Sequence, residues 1–307
     1  MKTIVLSTIR FPEENPFYRI KVCQIFLCIF LLTFGIAIQF GIIRSLFNFD
    51  SKDPTFTTLL GIFILILAGA WLLRQCKLVG INLKQLIGKL PRNYQWLPLV
   101  CLVIARVLFS IGVFRISYYP LSFIAPSFIE YILNYNINND IFILASKTLS
   151  PALYYLLESL YSIVVSPLFF TFVFQGIILH RWAAKWGNRT AILALCLLAG
   201  VMSYTNVLGG ISFVLVYTLL YIKSRTLIVP FMAYILESII YVFWKLLYLL
   251  FTISSSTKTV SVLEQFRSEW RVGVFLFVLS APWIVHFIYK NWPSPNEQLP
   301  YFANTSE

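Results

Sequence analysis

The sequence predicts an all-α, polytopic integral membrane protein. Of its 307 residues, 59% are hydrophobic and 12% are charged, and the mean hydropathy is +0.80. A soluble domain could not bury that much apolar surface, so a bilayer must act as the solvent. The apolar runs are continuous and about 20 residues long, as a membrane-spanning helix requires, whereas a transmembrane barrel would show segments of about 10 residues that alternate between apolar and polar.

The N-terminal part predicts two helices and a basic loop. Residues 22–43 are uncharged and form a run longer than the apolar part of a signal peptide, so we expect them to remain as the first helix. Residues 55–73 predict the second helix. The loop over residues 74–92 carries five basic residues between leucines and isoleucines, and we expect those apolar side chains to lie on the membrane surface.

Proline residues divide the next part of the chain. The third helix is predicted over residues 96–114, and Pro120 and Pro126 interrupt the stretch that follows. We therefore expect residues 121–135 to form an interfacial segment.

Five more helices complete the prediction. Ser150 and Pro151 predict the start of a fourth helix that extends to residue 182. At about 1.5 Å per residue this helix is too long to cross the membrane unless it tilts, protrudes or kinks at Pro167. Residues 190–222 predict two short crossings, because both flanks are basic and a polar break, Ser203 to Asn206, lies between them. Helices seven and eight are expected over residues 227–253 and 272–289.

The distribution of basic residues predicts the orientation of these eight helices. With both termini in the cytoplasm, fifteen Lys and Arg residues lie in inside segments and seven in outside segments. This bias has the sign that the positive-inside rule requires. The net charge of +12 is therefore interpreted as a topology signal, and we expect no nucleic acid partner.

The order of features from residue 166 to residue 241 resembles the CAAX-prenyl-endopeptidase and bacteriocin-processing family of intramembrane proteins, also called the CPBP or ABI family. In that family a proline precedes Glu-Glu-x-x-x-Arg-Gly, a Phe-x-x-x-His follows on the next helix, and a His-x-x-x-Asn lies on a later one. Ser166-Pro167 and the Phe174-Gln175-Gly176 turn are similar to the first of these motifs. The resemblance implies a division into helices 1–3 over residues 1–147, a family-like core over 148–253 and an extra C-terminal helix and tail over 254–307.

The motif positions lack the residues that the family uses for catalysis. The family is thought to activate a water molecule with its glutamate and histidines in order to cleave peptide bonds inside the membrane. Seven positions of this chain fall where the family places its motif residues: Phe170, Thr171, Gln175, Ala199, Ser203, Tyr234 and Ser238. None of these side chains is a carboxylate or an imidazole, which are the groups that activate water or bind a divalent metal.

The two histidines do not replace the missing groups. His180 is expected in a basic loop and His286 in the last helix, so neither occupies a motif position. The five cysteines are scattered and form no Cys-x-x-Cys pair. We therefore predict no catalytic residues, no metal ligands and no cofactor, and the resemblance implies a degenerate family member, a pseudoprotease.

Four charged residues are expected within the apolar segments, namely Arg106, Glu158, Glu237 and Lys245. A charge in the middle of a membrane costs at least about 2.5 kcal/mol on insertion scales, so each is expected to face protein or water and to have a partner. Arg106 is expected to pair with Glu158 or Glu237. The cluster is either a polar cavity that takes a ligand or a buried network that locks helices three, four and seven together.

Three functions remain open at this stage. The leading hypothesis is a non-catalytic protein of a bacterial or organellar inner membrane that binds another membrane protein or a lipidic ligand. The alternatives are an endopeptidase with rearranged catalytic residues, and a transporter or lipid-handling subunit that uses Arg106, Glu158 and Glu237 as a polar path. An apolar plug at Phe170 and Phe174 would favour the non-catalytic protein. A bound metal would favour the endopeptidase, and a continuous water-filled cavity through the charged residues would favour the transporter or lipid-handling subunit.

Overall fold

The computed structural model describes residues 15–47, 53–138, 140–254, 261–294 and 297–305, and every regular element in these ranges is helical. A short 3₁₀ turn, Pro16–Arg19, precedes the first helix. The helices are α1 (Val22–Phe47), α2 (Pro54–Val79), α3 (Leu83–Ile87), α4 (Trp96–Ile124), α5 (Pro126–Asn138), α6 (Ile141–Ala145), α7 (Pro151–Trp186), α8 (Asn188–Met202), α9 (Val207–Ser224), α10 (Ile228–Ser254), α11 (Val262–Ser268), α12 (Trp270–Asn291) and α13 (Pro300–Thr305).

Within the described residues, six helices are long and apolar enough to cross a membrane: α1, α2, α4, α7, α9 and α12. These helices support a helical, multi-pass membrane protein. The two other predicted crossings correspond to α8 and to the apolar part of α10, Ile228–Trp244, which are shorter apolar helices.

The predicted end of the third helix at residue 114, and the interruption expected at Pro120, are wrong. The helix α4 continues through Pro120 to Ile124, and the break comes at Pro126, which is the first residue of α5. A proline inside a helix removes only one backbone hydrogen bond, and membrane helices tolerate it where neighbouring groups compensate. The structure therefore assigns residues 121–124 to α4, and only the later part of the expected interfacial segment forms a helix of its own.

The loop between α2 and α4 packs partly into the protein, which corrects for Ile81 and Leu86, but not for the exposed Ile87, the prediction that its apolar side chains lie on the membrane surface. Ile81 and Leu86 are buried in the main hydrophobic core. The carbonyl of Ile87 accepts hydrogen bonds from the backbone N–H of Leu227 and from the hydroxyl of Thr226, both at 2.8 Å. The loop therefore anchors the start of α10.

The helix α7 contains two π-helical stretches, Leu160–Val165 and Phe172–Ile178, which flank the α-helical segment Ser166–Thr171. Pro167 lies at the start of that middle segment and has no N–H to donate to the preceding turn. Wide turns of this kind interrupt the regular hydrogen bonding of a helix and are frequent at functional sites.

The helices α8 and α9 form a hairpin around the predicted polar break. Asn206 caps α9, since its side-chain oxygen accepts a hydrogen bond from the N–H of Gly209 at 3.0 Å. A Cβ added to Gly210 would lie 2.5 Å from the Cβ of Ser203. Glycine is therefore needed where the two helices meet.

Both terminal segments pack at the same end of the bundle. The ring of Phe17 stacks on His180 with centroids 4.8 Å apart and meets Tyr301 edge-on at 5.0 Å. His180 is fully buried inside α7, which corrects its expected place in a basic loop. The core around it includes residues from all three predicted segments of the chain, from Phe17 to Tyr301.

Candidate functional site

A cavity of about 800 Å³ lies between the central helices. Its walls come from α4, α7, α8, α9 and α10, and α5 and α11 contribute residues at one end. Asn206, which lies at that end, donates a hydrogen bond to Ser110 Oγ at 3.0 Å. The cavity therefore extends from the interior of the bundle toward the end opposite the terminal segments.

All seven motif positions named from the sequence line this cavity. The helix α7 contributes Phe170, Thr171 and Gln175; α8 contributes Ala199 and Ser203; and α10 contributes Tyr234 and Ser238. Positions that are up to 68 residues apart in sequence are thus brought together around one space.

Aromatic rings form a large part of the wall. Phe170 and Phe174 are neighbours with centroids 5.8 Å apart, and Phe213 meets Tyr234 edge-on at 4.7 Å. The two phenylalanines lie on the turn of α7 where the resemblance places a glutamate and an aromatic residue. An apolar plug at these two positions would favour the leading hypothesis; in the structure the two rings are part of the wall, and the cavity beside them is open.

Two of the hydroxyl groups join α10 to α7. The hydroxyl of Ser238 donates to the carbonyl of Ser162 at 3.0 Å, and the hydroxyls of Tyr234 and Ser166 are 3.4 Å apart. The first bond joins α10 to Ser162 inside the first π-helical stretch of α7, and the second joins it to Ser166 directly after that stretch. These two motif positions therefore contribute to packing as well as to the wall.

Arg106 and Glu237 form an ion pair inside the cavity wall, with side-chain exposures of 7% and 14%. The hydroxyl of Tyr217 also donates a hydrogen bond to Glu237, and the Arg106 guanidinium lies 5.3 Å from the centroid of the Phe213 ring. Of the two partners that the sequence allowed for Arg106, the structure selects Glu237. Sequence reasoning did not single out Tyr217 or Phe213, because an aromatic residue in an apolar helix carries no signal of its own.

The other two intramembrane charges are not part of this arrangement. Glu158 does not line the cavity, and its carboxylate accepts a hydrogen bond from Thr58 Oγ1 of α2 at 3.0 Å. The side chain of Lys245 is outside the part of the chain that the structure describes. The predicted polar cluster is thus brought together only for Arg106 and Glu237.

Two buried polar atoms of the wall have no hydrogen-bond partner within the described part of the chain. They are Nε of Arg106 and Oε1 of Gln175, and these residues are 5% and 2% exposed. A buried polar group without a partner costs about 1–3 kcal/mol. The lining therefore contains one donor and one acceptor that have no partner in the protein.

The far end of the cavity carries a second ion pair, between Arg115 of α4 and Glu269, the residue that precedes α12. These side chains are 23% and 30% exposed. Arg106, Arg115, Glu237 and Glu269 are the charged residues of the lining, and they form two neutral pairs. Across the described ranges, no group of three or more His, Cys, Asp or Glu residues is arranged to hold a metal ion.

Comparison with known proteins does not assign this site to a family. No protein-family model, no curated protein and no solved structure matches the chain.

Proposed function

We propose that this chain is a non-catalytic intramembrane protein that binds a lipidic ligand in the cavity between α4, α7, α8, α9 and α10. The observation that carries the proposal is that the seven motif positions line one cavity and offer it rings, hydroxyls, a methyl group and an amide. A site with this lining can enclose a ligand, but at these positions it has no group to activate water. We propose further that the chain is a degenerate relative of the CPBP family.

The size of the cavity favours a small lipidic ligand over a transmembrane helix. A helix about 10 Å wide and 30 Å long occupies roughly 2,400 Å³, whereas the cavity holds about 800 Å³. Binding sites for small molecules typically enclose about 300–1,000 Å³. A partner membrane protein would therefore have to dock outside this space.

An endopeptidase with rearranged residues is the second candidate, and the position of Glu237 in the cavity wall favours it. A general base must reach the proton that it takes from the substrate, however, and both oxygens of Glu237 are already held by hydrogen bonds from Arg106 and Tyr217. The transporter alternative has less support, because Glu158 is not part of the lining.

We also propose eight membrane crossings in an inner membrane, with both termini in the cytoplasm. The contact of Phe17 and Tyr301 supports an even number of crossings, since it brings the two terminal segments to one end of the bundle. The excess of basic residues on the segments of that end supports the orientation. Accessibility of a tag at each terminus to a membrane-impermeant reagent would test it; labelling of either tag in intact cells would contradict it.

The proposed function is tested by a variant that fills the cavity. Ile111 lines the cavity on α4, whereas Ile104 of the same helix is 42% exposed and does not line it. We expect protein extracted from its native membrane to carry about one lipidic molecule per chain, measured by native mass spectrometry. Ile111→Trp should lower the occupancy of that molecule to a small fraction, and Ile104→Trp should leave the occupancy unchanged. Equal occupancy in both variants would show that the molecule binds elsewhere.

A further inference from the structure

We infer that the ligand is an uncharged amphiphile, whose compact head both donates and accepts hydrogen bonds and whose tail is apolar. A fatty amide, a long-chain alcohol and a monoacylglycerol belong to this class. The inference rests on the proposed function, because it names the ligand of the same cavity.

The charges in the buried part of the lining disfavour an ionised head there. Arg106 pairs with Glu237 and Arg115 pairs with Glu269, so the lining carries no net charge. In the buried part of the lining, an anionic head could be neutralised only if it took Arg106 from Glu237, and a cationic head only if it took Glu237 from Arg106. Either exchange leaves one charge buried and uncompensated, which is strongly unfavourable inside a protein.

The unpartnered atoms specify the hydrogen bonds of the head. Oε1 of Gln175 can only accept a hydrogen bond, and the Nε–H of Arg106 can only donate one. A hydroxyl or a primary amide supplies both complementary groups, whereas a carboxylate only accepts and an ammonium only donates. Both side chains are more than nine-tenths buried and line the same cavity, so a single head inside it is the natural partner for each.

The rest of the wall is suited to a hydrocarbon tail. Phe170, Phe174 and Met202 line the cavity with apolar surface, and Ile111 and Ile137 extend that surface toward α5. A tail that covers these side chains removes apolar area from water, which is favourable in proportion to the area buried. The amphipathic lining therefore matches an amphipathic ligand.

The test uses five probes with the same eighteen-carbon unsaturated tail: oleamide, oleyl alcohol, oleate, oleylamine and octadecene, which has no head. Affinities are measured on the delipidated full-length protein in mild detergent by native mass spectrometry. We expect oleamide and oleyl alcohol to bind one per chain and at least about tenfold more tightly than oleate and oleylamine, by the cost of an uncompensated buried charge.

The variant Gln175→Leu tests the hydrogen bond. It should lower the affinity for oleamide by roughly 3- to 10-fold, because one hydrogen bond contributes about that much, and it should leave the affinity for octadecene unchanged. The matched control is Gln24→Leu, at an exposed position of α1 outside the cavity lining. A loss of affinity that is equal for oleamide and octadecene would mean that Gln175 acts only through structure, and the inference would be overturned.

The remaining outcomes separate the two proposals. Tightest binding of oleate or oleylamine, still abolished by Ile111→Trp, would overturn the inference about the head and leave the proposed function standing. No binding of any probe, or binding that Ile111→Trp does not reduce, would overturn the proposed function itself.

Discussion

The ion pair between Arg106 and Glu237 yields the strongest prediction about stability. Both side chains are almost fully buried, and Glu237 accepts a further hydrogen bond from Tyr217. Replacing one member of a buried pair leaves the other charge uncompensated and costs about 3–5 kcal/mol, whereas replacing both by apolar residues of similar volume is often neutral. We expect Arg106→Met and Glu237→Leu each to destabilise the protein by about 3–5 kcal/mol, and the double variant to lie within about 1 kcal/mol of the wild type.

The assay follows the exposure of buried thiols as the protein unfolds. Cys76 and Cys196 are buried, so a thiol-reactive dye reaches them only when the core opens, and Cys23 and Cys101, which are exposed, are replaced by serine to lower the background. A loss of 3 kcal/mol in a chain of this size should lower the midpoint of thermal unfolding by roughly 5 °C.

The second ion pair of the cavity provides the control. Arg115 and Glu269 are more exposed, so Glu269→Gln should cost less than about 1 kcal/mol. Additive losses in the Arg106 and Glu237 double variant, or an unchanged midpoint in Glu237→Leu, would refute the view that these two charges compensate each other inside the membrane.

Two further predictions concern the packing of the scaffold. Burial raises the pKa of Asp53, but its hydrogen bonds, which include the one from the N–H of Leu149, outweigh burial and hold the pKa below its ordinary value. A lowered pKa stabilises the folded protein above about pH 4, and this stabilisation is lost as the pH falls through the pKa of the folded state. The stability difference between wild type and Asp53→Asn should therefore shrink below about pH 4 in thermal unfolding, and a constant difference would argue against this role. A Cβ at Gly112 would lie 2.7 Å from the backbone nitrogen of Phe277, so Gly112→Ala should separate α4 from α12 and cost about 1–3 kcal/mol. Gly35→Ala, where nothing lies within 4 Å of the added Cβ, should be neutral or slightly stabilising, and equal losses at both glycines would contradict the close approach.

Continuous apolar runs were sufficient to predict most helices, because a membrane-spanning helix must satisfy its own backbone hydrogen bonds over about 20 residues. The helices α1, α2, α4, α7, α9 and α12 and the break between α8 and α9 follow from this pattern. Pro120 was misread because a proline marks a helix boundary reliably only in water. The burial of Ile81 and Leu86 in the basic loop was not predicted, because such residues show the same pattern whether a bilayer or the protein covers them.

The site could be predicted in part. The seven positions taken from the resemblance line one cavity. The need for a partner to Arg106 allowed Glu158 or Glu237, and the structure pairs it with Glu237. The contributions of Tyr217 and Phe213 depend on how α9 packs against α4 and α10, which no local pattern in the sequence encodes. Glu158 was grouped with the cluster on hydropathy alone, and its bond to Thr58 shows that depth in the membrane does not imply proximity.

The most direct test of a non-catalytic, ligand-binding cavity is a cryo-electron microscopy map of the protein purified from its native membrane, with elemental analysis of the same sample. We expect elongated non-protein density along Phe170 and Phe174 that ends beside Gln175 and Arg106, and no divalent metal in stoichiometric amount. A cavity closed by its own side chains, or a metal bound at about one per chain beside Glu237, would contradict the account, and the metal would favour an enzyme in its place.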